Sequence, residues 1–287
     1  MEKVVDMEQQ QAKEMGKFVV FDAKDIWPAH EDLPAGLIRE RIPKHVAFIM
    51  DGSRRWAIKR GLEPTLGHNA SSHSVKLLAQ LCCNWGIKVM TVFAFSTGNW
   101  VRPQVEVDFL MDTFELVSLR DVEVFMRNEV RISIIGDTTK LPTGLQQALS
   151  KATEITKNYA KLHLIVGINY GGREDILQAC QSISRKVKDN LIKPEDINEN
   201  LFNQELDTKC TEFPYPDLLV RTSGEHRISN FLMWQLAYSE IYFEDCLWPD
   251  FGEKEFVKAL RSFQDRRRRY GGQDEDNLGV ESRNQSN

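Results

Sequence analysis

Two short segments far apart in the chain, DGSRR at residues 51–55 and RTSGEHRIS at residues 221–229, hold residue types that suit the same chemistry. The first follows an apolar run, Val46 to Met50, and consists of Asp51, Gly52, Ser53, Arg54 and Arg55. A buried strand ending in this way would deliver a carboxylate and paired guanidiniums to the carboxyl edge of an α/β sheet, where open sheets bind ligands. Arginine forks match phosphate oxygens, and Gly52 would let the backbone come close to an anion. Asp51 is a hard carboxylate of the kind that shares Mg²⁺ with substrate phosphates. His68 follows Gly67 at the expected mouth of a helix, where N–H groups and the helix dipole favour an anion. Taken singly, Asp51 would read as a helix cap or solvated turn and His68 as a surface histidine; an acidic strand end is common, and the same chemistry at residues 221–229 is what strengthens that signal.

The elements needed to position these groups are legible as alternating periods. Continuous apolar runs predict strands at 46–50, 88–95, 131–137, 162–172, 217–223 and 239–245. Helical stripes predict helices at about 67–84, 105–128, 142–159, 172–189, 197–209 and 253–270. Strands without polar alternation, separated by helices, imply a mainly parallel sheet covered on both faces. No repeat or Pro/Gly-rich linker divides the chain. The expected division is an N-terminal extension (1–42), one α/β domain (43–270) and a flexible polar tail (271–287).

Composition excludes several classes. The 287 residues are 41 % apolar, ample for a core, and the formal charge of −5 argues against a nucleic-acid partner. No apolar run approaches the roughly 18 residues of a membrane span. Five cysteines, odd in number and without a C-x-x-C pair, fit free thiols in a reducing compartment better than a disulfide framework or zinc site. The acidic, Gln-rich start resembles neither a secretion signal nor a transit peptide. The expected location is therefore soluble: the plastid stroma if a transit peptide has been removed from a plant protein, otherwise the cytoplasm.

The blocks HVAFIMDGSRRWA, FAFSTGNWVRP, GINYGGREDI and PDLLVRTSGEHRISNFLMWQLAYSEIYFEDCLWPDF are similar to the ordered signature of the cis-prenyltransferases, over residues 43–270. The resemblance implies a prenyltransferase with a six-stranded, mostly parallel sheet, a homodimer, Mg²⁺ and a hydrophobic tunnel. It implies that an allylic diphosphate ionises, an alkene attacks it and a proton leaves. In this pattern Asp51 holds the metal. Gly52, Arg54, Arg55, Trp56 and His68 bind the allylic substrate. Ser53, Ser96 and Asn99 act at the reacting carbons, and Trp100, Arg102 and Glu106 belong to a loop that closes over substrate. Arg221, Arg227 and Ser229 hold the second diphosphate. Glu240, beside the His226 region, resembles a carboxylate that reaches a metal across the dimer interface, with His226 a further metal candidate.

Four positions depart from that pattern. Ser53 stands for asparagine, Pro64 for an arginine, Ser71 for glycine and Gly98 for glutamate. The core set Asp51, Arg55, His68, Asn99, Arg221, Arg227 and Glu240 persists, whereas non-catalytic partner subunits of the family lose such residues and usually carry membrane segments; an active enzyme is the expectation. Phe109, Phe114, Leu116 and Phe125 are bulky candidates for filling the tunnel, which favours a short product. Because Ser53 and Pro64 fall at the allylic site, the favoured reaction is head-to-middle coupling of two dimethylallyl diphosphates to a lavandulyl skeleton. The alternative is regular cis 1′–4 condensation of dimethylallyl and isopentenyl diphosphates to neryl or Z,Z-farnesyl diphosphate.

Overall fold

A computed structural model of the chain describes residues 32–266. Most of the expected N-terminal extension, the polar tail and the last residues of the expected closing helix, including Arg267 to Arg269, lie outside the described residues. Six strands form one sheet: β1 (His45–Ile49), β2 (Val89–Ser96), β3 (Val130–Ile135), β4 (Leu162–Tyr170), β5 (Leu218–Arg221) and β6 (Glu240–Phe243). Their order is β3-β4-β2-β1-β5-β6, and all five pairings are parallel. The uninterrupted burial of β1 and β5 is what a parallel sheet covered on both faces requires.

Among the described residues seven α-helices accompany the strands: α1 (Ser53–Lys59), α2 (Pro64–Trp85), α3 (Gln104–Arg127), α4 (Thr143–Thr156), α5 (Gly172–Lys188), α6 (Glu199–Asn203) and α7 (Glu253–Gln264). One core cluster joins β1 to α2 and α7 through Phe48, Trp85, Trp248 and Phe256. A second joins Ala47, Tyr170, Leu219, Phe231 and Leu232. Chain order reverses at β1, which is followed in sequence by its neighbour β2 but flanked on its other side by the much later β5. The crevice at such a reversal is where open α/β sheets take ligands. Register fixes its contents, since Ile49 pairs with Arg221 and sets Asp51 just beyond it.

Three elements differ from the sequence expectation. Helix α1 is additional; it starts directly after Gly52, whose φ of +110° and contact with Leu247 leave no room for a side chain. Helix α2 begins at Pro64, not near Gly67, because proline at the first helical position supplies the required φ and needs no N–H bond. The expected helix at 197–209 breaks into α6 and a 3₁₀ turn at Asp207–Cys210, with Leu206 between them extended and buried.

Candidate active site

Asp51 sits at the end of β1 with its backbone locked to β5. The Thr222 hydroxyl donates to Asp51 O at 2.7 Å and accepts from Asp51 N–H at 3.1 Å. The carboxylate is gripped on both oxygens: Arg55 donates to Oδ1 at 3.2 Å and Arg221 to Oδ2 at 2.9 Å. Burial opposes its ionisation, but the bonds from Arg221 and Ser223 and the charges of Arg221 and Arg55 outweigh burial and hold the carboxyl below its ordinary range. Arg55 also donates to the Ser223 hydroxyl at 2.6 Å, and Arg221 to the Ser229 hydroxyl at 2.6 Å. Arg221 is buried, and its Nε has no hydrogen-bond partner among the described residues. Arg227 is largely exposed and paired with Glu225. Arg55, partly exposed, and Arg221, buried, thus flank one ionised carboxylate.

Ser53 and Ser71, two of the departures, touch each other. Their hydroxyls are 2.7 Å apart, and because Ser71 donates to Gly67 O at 2.8 Å, Ser53 is the donor between them. Gly67 permits this approach of α1 to α2: a Cβ there would lie 2.0 Å from Ser53 O. His68 lies one turn inside α2, so the expectation that it stands at the helix mouth is corrected; its side chain, not its N–H, faces the site. Burial pushes its imidazole down to about 4, with the charges of Arg102 and Arg54 adding to this and Glu106 opposing. Glu106 bridges those two arginines, at 3.1 Å from Arg102 and 3.6 Å from Arg54. His68 is therefore a neutral ring set among cations.

After β2, Ser96 caps the turn Thr97–Val101 by accepting from Gly98 N–H, while Ser96 N–H donates to Asn99 Oδ1 at 2.9 Å. The turn points Ser96 and Asn99 into the cavity and leaves the Asn99 amide N–H groups outside this box. Gly98 has open space around its Cβ position, with only Ser96 Oγ near at 3.6 Å. Trp100 donates to Asn169 Oδ1 at 2.7 Å and packs on Phe95, outside the cavity wall.

These groups open onto one cavity of about 500 Å³. Asp51, Ser53, His68, Asn99, Arg221 and Arg227 line its polar part, and Val75, Phe114, Val122, Phe125, Ile132 and Leu164 line its apolar part. Of the bulky candidates, Phe114 and Phe125 face the cavity. Leu116 is 59 % exposed on the outer side of α3, and Phe109 is not in the wall. An element that sequence reasoning missed also lies in this wall: Lys76 and Asp121, both buried, form an ion pair at 3.0 Å. Burial pushes the Lys76 ammonium down, and Asp121 counters it. The available signal was a lysine beside the apolar stripe of α2, with an acid among the apolar residues of α3.

Some expected site residues lie elsewhere. Trp56 is buried against Ala57, Ala70 and Leu247 and donates to Asp250 Oδ1 at 2.7 Å, so it braces α1 and does not face substrate. Gly52 meets Leu247, which accounts for the glycine without a phosphate. Glu240 starts β6, at the opposite sheet edge from Asp51, and pairs with Arg266 at 2.8 Å. His226 is exposed with its ring on Phe243.

The donor set bears on the metal. Among the described residues no group of three or more His, Cys, Asp or Glu side chains is placed to cage an ion. One ionised carboxylate beside cations that suit a diphosphate does fit Mg²⁺, which commonly takes one or two carboxylates and completes its shell with phosphate oxygens and water. Three bonds, from Arg55, Arg221 and Ser223, leave the Asp51 carboxylate one of its about four lone-pair sites for a metal.

An α/β fold with a cationic cavity mouth and an apolar interior suits a prenyl-transferring enzyme, and comparison with known proteins gives that class. A family model described as "Putative undecaprenyl diphosphate synthase" matches residues 49–271, and the chain belongs to this family of prenyltransferases. It is 55 % identical over 242 residues to dehydrodolichyl diphosphate synthase 2 of Arabidopsis thaliana, covering 84 % of this chain and 78 % of the relative. It is 52 % identical over 257 residues to (2Z,6Z)-farnesyl diphosphate synthase CPT6, chloroplastic, of Solanum lycopersicum, covering 89 % of each. The structure of lavandulyl diphosphate synthase from Lavandula x intermedia in complex with dimethylallyl diphosphate superposes with a TM-score of 0.79. That match has 42 % identity and covers 81 % of this chain and 99 % of that one. No helix among the described residues is long and apolar enough to cross a membrane.

Proposed function

We propose that this chain condenses an allylic diphosphate with isopentenyl diphosphate in cis geometry and releases a short product, neryl or Z,Z-farnesyl diphosphate. The observation that carries this reading is the continuity of the cavity, from the Asp51–Arg221 pair into an apolar interior that includes Phe125 and Ile132. The apolar part of the cavity, lined by Phe114 and Phe125 among others, is where a growing chain would lie. The tomato farnesyl relative agrees in product length and, being named chloroplastic, supports a plastid location.

Asp51, Arg55 and His68 would hold the allylic diphosphate, and Arg221, Arg227 and Ser229 that of isopentenyl diphosphate. Mg²⁺ at Asp51 would neutralise charge building on the leaving diphosphate. The allylic C1–O bond breaks and its electron pair goes to the leaving diphosphate. The terminal alkene carbon of isopentenyl diphosphate bonds to C1, and its C2 proton leaves as the new double bond forms. Preorganised donors act on the developing charge at no cost in reorganisation. Ser96 and Asn99 orient the acceptor, and the turn above them excludes water that would trap the cation as an alcohol. Glu240, remote from Asp51 of its own chain, would serve the site of a second copy in a homodimer.

Head-to-middle coupling to a lavandulyl skeleton is the second reading, favoured by the Ser53–Ser71 pair. There two small hydroxyls bond each other beside Asp51, in place of the amide expected at residue 53. Incubation of the purified protein with Mg²⁺ and dimethylallyl diphosphate, with and without isopentenyl diphosphate, separates the two. Linear cis product only when isopentenyl diphosphate is present supports elongation. A branched C10 product from dimethylallyl diphosphate alone overturns it in favour of the second reading, and no transfer in either mixture overturns both.

A further inference from the structure

The second diphosphate segment has no helix of its own, yet its backbone is held in an unfavourable shape. Ser229 and Asn230 have φ of +47° and +61°. Left-handed backbone is disfavoured for a residue with a side chain, most mildly for asparagine, and persists where surrounding contacts enforce it. The contacts here come from the start of α5. Gly172 N–H donates to Asn230 O at 2.6 Å, and Arg173 N–H donates to Asn230 Oδ1 at 2.9 Å. Asn230 Nδ2 in turn donates to Glu174 Oε2 at 3.0 Å.

The first N–H groups of a helix lack partners within the helix and are ordinarily capped by the preceding side chain. That residue is Gly171, which has none, and Asn230 caps α5 in its place from a distant part of the chain. The fit is close. A Cβ on Gly171 would lie 2.1 Å from Glu174 Oε2 and 2.7 Å from both Asn230 Nδ2 and Thr97 Oγ1. Thr97 opens the turn that carries Asn99, so the cap also abuts the acceptor-orienting loop.

We propose that Asn230 is a positioning residue for the attacking substrate, its cap on α5 fixing Ser229 and Arg227 at the spacing that a diphosphate requires. The proposal rests on the assignment of residues 221–229 to the isopentenyl diphosphate. Loss of the cap lets the segment relax away from its left-handed backbone and moves the Ser229 hydroxyl off Arg221. On the Asp51 side, the bonds from Arg55 and Thr222 involve neither Ser229 nor Asn230, and Arg221 is the one group shared with Ser229.

The test uses the full chain with Asn230→Gly, which tolerates the backbone but removes the side chain, and Asn230→Asp, which sets a carboxylate against Glu174. A third variant combines Asn230→Asp with Glu174→Gln, reversing donor and acceptor and restoring the bond. Steady-state KM for each substrate, and calorimetric Kd for isopentenyl diphosphate, are read together. The expected result is a rise of about three- to tenfold in KM and Kd for isopentenyl diphosphate in both single variants. KM for the allylic substrate stays within twofold, and the double variant recovers most of the loss. Unchanged constants, equal shifts for both substrates, or no recovery in the double variant overturn the proposal. Failure of the unmodified protein to bind isopentenyl diphosphate would instead remove the assignment on which it rests.

Discussion

The segments at the ends of β1 and β5 meet over one carboxylate but are built in opposite ways. Residues 51–55 pass from a buried strand straight into α1, with one left-handed position at Gly52, and their backbone is fixed by Thr222 and Leu247. Residues 221–229 leave β5 without entering a helix and include left-handed backbone at Ser223, Gly224 and Ser229. Arg221 at their start is buried, whereas Arg227 near their end has a side chain 60 % exposed. The first segment presents a charge arrangement set by its own secondary structure. The second depends on neighbours, so substitutions should affect the two differently.

The largest effect is expected at Asp51. Asp51→Asn keeps the shape but removes the charge that would hold Mg²⁺, and kcat should fall by at least the ~10²–10³ seen when one preorganised stabiliser is lost. Circular dichroism should remain that of the folded protein. A kcat near that of the unmodified enzyme would break the assignment of this segment as the ionising side.

Acid probes the scaffold beneath both segments. His45, at the amino end of β1, is pushed down to about 4 by burial, and so is His163 on β4. A group neutral in the fold down to about 4 but protonated in the unfolded chain from about 6.5 costs no stability above that pH. Stability should then decline as pH falls from 6.5 toward 4 and level off below, by about 3 kcal/mol for His45 at ~1.4 kcal/mol per unit. Melting temperatures across that range in the unmodified protein and His45→Gln measure it; an equal slope in both would show that His45 does not contribute.

Next in size is the contrast within the second segment. Arg221→Ala removes a buried cation bonded to Asp51 and Ser229, and should cost the upper part of the roughly 1.5–3 kcal/mol of a charge-assisted contact, in both Tm and transfer. Arg227→Ala should leave Tm within a degree or two and act on substrate KM alone. Equal losses of stability in the two would contradict the difference in their burial.

The smallest effect is expected at Ser53. Ser53→Asn replaces one hydroxyl donor by two amide donors beside Ser71. Mass spectrometry after dephosphorylation should show any branched C10 share fall relative to linear product. A larger branched share would reverse the role given to the Ser53–Ser71 pair.

The strands were legible because buried parallel strands need continuous apolar runs, and β1, β2 and β4 are such runs. Helix α1 was not, because Arg54, Arg55 and Lys59 hide the short stripe of Trp56 and Ala57, and its start needs the unusual backbone of Gly52. Asp51, Arg221 and Ser229 were legible in type, and strand register explains their meeting. Trp56 and Leu116 misled because residue type cannot tell a brace or an outward side chain from a cavity wall. The Ser53–Ser71 bond depends on the angle at which α1 crosses α2, set by Gly67, and the Lys76–Asp121 pair on how α2 meets α3. Neither angle is written in a local period.

The most direct test of a division of labour between the two segments is initial-rate kinetics with both substrates varied in Arg55→Ala and Arg227→Ala. The expected pattern is crossed. Arg55→Ala raises KM for the allylic diphosphate and lowers kcat, whereas Arg227→Ala raises KM for isopentenyl diphosphate with the allylic KM nearly unchanged. Both variants acting on the same substrate, or neither altering either KM, would contradict it.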